Sequence, residues 1–91
     1  MFPSKIGSYS GTSVASSNLV AEVATDISYS SDKTLWFRSI KLIVGGACDI
    51  KVNDGAVISL TENEVFELKD FYVSSLTIED AGVTFTLIYI Y

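Results

Sequence analysis

Residues 40–60 read IKLIVGGACDIKVNDGAVISL, and this stretch decides the fold. Cys48, Ile50 and Val52 alternate with Asp49, Lys51 and Asn53, the period-two pattern of a strand with one buried face. Asn53-Asp54-Gly55 supplies turn chemistry, because Asn and Asp bond locally and tolerate the left-handed region, and Gly takes positive φ freely. Register follows from the apolar pattern. A two-residue loop at Asp54-Gly55 pairs Ile50 with Ser59. A three-residue loop at Asn53-Asp54-Gly55 pairs Ile50 with Ile58 and Cys48 with Leu60, and only this choice gathers apolar side chains on one face. It predicts Gly55 at the left-handed position of a G1 bulge.

Upstream, residues 35–44 (LWFRSIKLIV) read as one long strand ended or bent by Gly45-Gly46. Strict alternation points Trp36, Arg38, Ile40, Leu42 and Val44 one way. Leu35, Phe37, Ser39, Lys41 and Ile43 point the other. Residues 19–25 (LVAEVAT) fit a short helix or a strand, and their β-branched content favours a strand. Residues 1–18 carry six serines, two glycines and the only proline, and read as a flexible arm ahead of a domain at 19–91. Phe2, Pro3, Ile6 and Tyr9 are its candidate docking side chains.

Downstream come short strands at 65–68, 71–79 and 83–91. A four-residue loop at 79–82 would pair Ile78 with Val83 and Leu76 with Phe85 as a hairpin. Turn signals recur at sandwich spacing and no βαβ alternation appears. The expected fold is an antiparallel β-sandwich of about seven to eight strands, jelly-roll-like or otherwise Greek-key.

The 91 residues suit one domain, and 48% hydrophobic against 19% charged residues is a globular composition. Six scattered Lys and Arg against eleven Asp and Glu give a net charge of −5. That balance argues against nucleic acid or an anionic membrane as partner. No apolar stretch reaches the roughly 20 residues that span a bilayer, and the N-terminus has no apolar core of a secretory signal. The lone Cys48 permits no intrachain disulfide and reads as a small core residue.

The second face of the strands gives the functional lead. A monomeric sandwich alternates apolar-in and polar-out. Here Leu35, Phe37, Ile43, Phe71, Val73, Ile88 and Ile90 occupy the nominally outer positions. Either residues 19–27 cover them within the chain or another subunit does, and a subunit interface is the preferred reading. The C-terminal run Thr86-Leu87-Ile88-Tyr89-Ile90-Tyr91 would invite aggregation at a bare edge, so it is expected at the centre of a sheet or in an interface.

Catalytic constellations are missing from the sequence. Without histidine, the usual general base and the commonest metal ligand are gone. Asn53-Asp54-Gly55 is no calcium loop, since the preceding ligand positions fall on Ile50 and Val52. Gly45-Gly46 lacks the helix and lysine of a phosphate cradle. Asp54, Glu62, Glu64, Glu79 and Asp80 read as solvated turn carboxylates. No catalytic residue, cofactor or metal ligand is assigned, and the chain is expected not to be an enzyme.

The run TLWFRSIKLIVGGACDIKVNDG from Thr34, followed by a short acidic strand and VSSLTIEDAGVTFTLIYIY, resembles small virion proteins of tailed bacteriophages. The Ser/Gly-rich start is similar to their N-terminal arms. The resemblance implies a structural role in capsid decoration or cement, a head fibre, or a neck or tail part, often as a homo-trimer. It also implies location in the virion after assembly in the host cytoplasm. The alternative is a module binding carbohydrate or a host receptor through Tyr and Trp side chains.

Overall fold

The structure, a computed structural model, describes residues 4–29 and 33–91. The chain runs β1 (Ile6–Thr12), β2 (Ser17–Asn18), α1 (Leu19–Asp26), β3 (Ser39–Val44), β4 (Cys48–Val52), β5 (Ile58–Leu60), β6 (Val65–Leu68), β7 (Leu76–Ile78) and β8 (Thr84–Ile90). Two four-stranded antiparallel sheets result: sheet A in the order β1-β8-β3-β6 and sheet B in the order β2-β7-β4-β5. The expected sandwich is present.

Its order has a simple logic. β1 pairs with β8, β2 with β7, β3 with β6 and β4 with β5. The chain is one long antiparallel hairpin, closed at the β4–β5 turn and rolled up. Pairings of β3 with β8 and β4 with β7 seal the roll. This is an eight-stranded jelly roll. Sheet A contributes Leu42, Val44, Leu87 and Tyr89 to the core, and sheet B contributes Ile50, Leu76 and Ile78. Burial of these side chains is the main stabilising contribution, at roughly 1.5–3 kcal/mol each before entropy is counted. The last strand, β8, lies between β1 and β3, so the apolar C-terminal run is central in its sheet as expected.

The central hairpin keeps the expected register, with Cys48 opposite Leu60 and Ile50 opposite Ile58. Its turn differs. Asn53 and Asp54 take positive φ, while the Gly55 N–H donates to Val52 O at 2.9 Å. The left-handed positions therefore fall on Asn53 and Asp54, not Gly55. The Asn53 side chain explains this: its Oδ1 accepts from the Ser74 N–H, the Ser74 hydroxyl and the Ser75 N–H, and its Nδ2 donates to Tyr72 O.

Four further expectations are corrected. Residues 6–12 are a strand of sheet A and not a flexible arm, because β8 would otherwise be an uncovered edge. Residues 19–26 are a helix. Asn18 caps it, its Oδ1 accepting from the Val20 N–H at 3.0 Å, and Leu19, Val20 and Val23 are buried on one side. β7 and β8 are not a hairpin but lie in opposite sheets. Buried Ser13 holds that crossover, donating to Asp80 O and accepting from the Val83 N–H.

The fourth concerns residues 35–44, where alternation breaks. Ser39 is the ladder partner of Ile90, yet the Arg38 N–H also donates to Ile90 O. Two residues oppose one, which is a β-bulge. The bulge reverses facing, so Leu35 and Phe37 turn inward along with Ile40 and Leu42.

Candidate interaction surface

With the bulge in place, the outer face of sheet A can be read from register alone. One row crosses the sheet as Ile6, Ile90 and Ser39. The next is Ser8, Ile88, Lys41 and Glu67, and the third is Ser10, Thr86, Ile43 and Val65. Ile6 is 72% exposed and Val65 47% exposed; Ile43, Ile88 and Ile90 are half-buried. Ile6, Ile88 and Ile90 join Ile40 and Leu68 along a shallow groove of about 350 Å³, with Lys41, Glu67, Lys69 and Asp70 also lining it.

Sheet B presents the opposite chemistry. Its outer positions carry Asp49, Lys51, Ser59 and Thr77. The Ser59 hydroxyl donates to Asp49 at 2.7 Å, and the Lys51 ammonium lies 3.4 Å from Glu79. A hydrogen bond from Thr77, aided by Lys51, holds the Glu79 carboxyl below the usual carboxylate range. The outer face of sheet A therefore groups five aliphatic side chains around Lys41 and Glu67, whereas Asp49, Lys51, Ser59 and Thr77 on sheet B are polar.

A second exposed feature sits next to the bulge. Trp36 and Tyr72 stack with ring centroids 4.7 Å apart, and the Arg38 guanidinium lies 5.7 Å from the Trp36 ring centroid. Phe71, Trp36 and Tyr72 are all exposed there. The Ser4 hydroxyl accepts from Arg38 at 2.9 Å, fixing the guanidinium over this corner.

The residues expected at an interface thus divide. Ile43, Ile88 and Ile90 share the aliphatic face. Leu35, Phe37 and Val73 do not: they are fully or nearly fully buried in the core, with Phe37 stacked on Tyr89 at 4.6 Å. Phe71 belongs to the aromatic corner. Of the expected docking residues, Ile6 lies on the aliphatic face through its pairing with Ile90. Tyr9 points inward, donating to Glu22 of α1 at 3.0 Å and packing on Phe85. Phe2 and Pro3 lie outside the described residues. Val65 was missed, although its place before Phe66 in a short strand marks it as outward once Phe66 is inward.

Cys48 is buried on the inner face of β4, and burial pushes its thiol pKa up, away from the reactive range. Among the described residues, no three of His, Cys, Asp and Glu lie together as metal ligands. No helix among them is long and apolar enough to cross a membrane. No family model, curated protein or solved structure matches the chain.

Proposed function

We propose that this protein is a non-enzymatic structural component that self-associates and docks on a larger protein assembly through the outer face of sheet A. The observation that carries this is the asymmetry of the two outer faces. Sheet B dresses its face with Asp49, Lys51, Ser59 and Glu79, whereas sheet A sets Ile6, Ile43, Ile88, Ile90 and Val65 around a single charged pair, Lys41 and Glu67. Water contact with such a surface is unfavourable by roughly 25 cal/mol per Å², so burial against a partner is a net driving force. The likeness of the hairpin segments to small virion proteins of tailed phages makes a capsid-decorating, head-fibre or neck-tail component the favoured assembly. Jelly rolls serve in viral capsids and also in lectins, so the strand order supports this by analogy alone. Mass spectrometry of particles purified from the system that encodes the chain should find it at a fixed copy number. Its absence from those particles would overturn the virion reading.

The aromatic corner supports a second reading, a carbohydrate or host-receptor site. Trp36 and Tyr72, stacked on each other beside Arg38, leave exposed aromatic surface of the kind that packs against sugars. A glycan array, read alongside Trp36 fluorescence, should then give hits that Trp36→Ala and Tyr72→Ala abolish. An empty array removes the glycan form of this reading.

A further inference from the structure

The jelly roll leaves four edge strands: β1 and β6 in sheet A, β2 and β5 in sheet B. Edge strands expose unpaired backbone groups and are normally kept short or charged. β2 has two residues and β5 three. β6 has four, includes Glu67, and runs into Lys69 and the left-handed Asp70. β1 is different. It has seven residues, IGSYSGT, with no charge and no proline.

Hydrogen-bond parity shows which of its groups have no partner among the described residues. Lys5 and Tyr91 exchange both backbone hydrogen bonds, and the Ser13 N–H donates to Val83 O. The odd-numbered residues between them therefore face β8. The N–H and C=O groups of Ile6, Ser8, Ser10 and Thr12 face away from it, and all four residues are exposed. Residues 7–11 read Gly-Ser-Tyr-Ser-Gly, the same in both directions.

We infer that β1 pairs with β1 of a second copy, antiparallel about a twofold axis at Tyr9. In that register Ser8 lies opposite Ser10 of the other copy and Ile6 opposite Thr12. All of these are residues whose backbone groups face away from β8. The four pairs would form about eight new hydrogen bonds. Tyr9 meets its own counterpart at a non-hydrogen-bonded position. A register shifted by one residue on one strand would set free groups against occupied ones. The palindrome thus makes the edge self-complementary, which names the occupant as a second copy. Joined this way, the two A sheets form one eight-stranded sheet with both isoleucine faces on the same side. The contact closes a twofold dimer, not the trimer that the phage resemblance suggests. It stands on the β1 edge alone and does not require the docking role of the isoleucine face.

Light scattering of the full chain across a wide concentration range tests it. The wild type should reach the mass of a dimer. Ser8→Lys with Ser10→Lys sets like charges opposite each other twice and should weaken the dimer about tenfold. Ser8→Lys with Ser10→Glu sets opposite charges there and should restore it. Circular dichroism checks that each variant is folded, and Glu62→Lys, in an exposed turn outside β1, should leave the dimer intact. A wild-type monomer at every concentration overturns the inference, as does a dimer indifferent to the Lys/Lys pair or not restored by the Lys/Glu pair.

Discussion

At the scale of the residue, Asn53 ties the hairpin turn to the strand pair that follows. Its side chain serves three donors and one acceptor between Tyr72 and Ser75 while its backbone sits in the left-handed region. Asn53→Ala loses all four contacts and should lower unfolding stability by about 1–3 kcal/mol, read from a denaturant midpoint at unchanged slope. Gly7 is fixed for a different reason. A Cβ there would lie 2.5 Å from the ring end of Tyr89, which is buried and stacked on Phe37 and so cannot step aside freely. Gly7→Ala should cost about 1–3 kcal/mol, as overpacking does. Neither role is legible from the sequence. Turn chemistry pointed to the right three residues, but which of them takes positive φ depends on Ser74 and Ser75, some twenty positions away. Gly7 looked like arm composition because nothing local says that a tyrosine crosses it.

At the scale of the element, alternation was a sound guide wherever a strand was regular. It gave the Cys48–Leu60 register, while the apolar run of the C-terminal strand, a hazard at a bare edge, gave the central place of β8. It failed at Arg38–Ser39, where a bulge costs one residue of phase and sends Leu35 and Phe37 into the core. It also could not separate a β7–β8 hairpin from a crossing between sheets. Leu76, Ile78, Val83 and Phe85 face the same core in either case. In α1 the tie between β-branched content and helical spacing was broken by Asn18, whose Oδ1 also accepts from the Leu76 N–H at 3.2 Å. The cap therefore joins helix and sheet. Asn18→Ala should cost about 1–2 kcal/mol in a thermal or denaturant melt, with Asn18→Asp retaining most of it.

At the scale of the whole molecule, the sandwich and the absence of histidine together set the pH response. Glu64 is held below the usual carboxylate range by hydrogen bonds from Thr61, and Glu79 by Thr77 and Lys51. Carboxyls depressed in the fold add stability above their unfolded pKa, and lose it as pH falls through the folded value. Burial pushes the Tyr89, Tyr9 and Cys48 pKa values up. Their contribution is complete below the unfolded values and is lost as pH rises through the folded ones. With no histidine in the chain, urea midpoints should be flat from about pH 5 to pH 8 and decline on both sides. A step near pH 6.5 would contradict this.

The proposed function belongs to the same scale. The sequence showed that apolar residues exceed what one core face needs. Only the rolled topology sorts them, sending Leu35, Phe37 and Val73 inside and leaving Ile6, Ile43, Ile88 and Ile90 on one outer face. The most direct test is the copy number of Ile88→Glu in assembled particles, measured beside the wild type. Glu at this position faces Lys41 across the strands, so the fold has a favourable partner for it. If the outer face of sheet A is the docking surface, the folded variant is lost from the particles while the wild type is retained. Equal copy numbers would contradict the account.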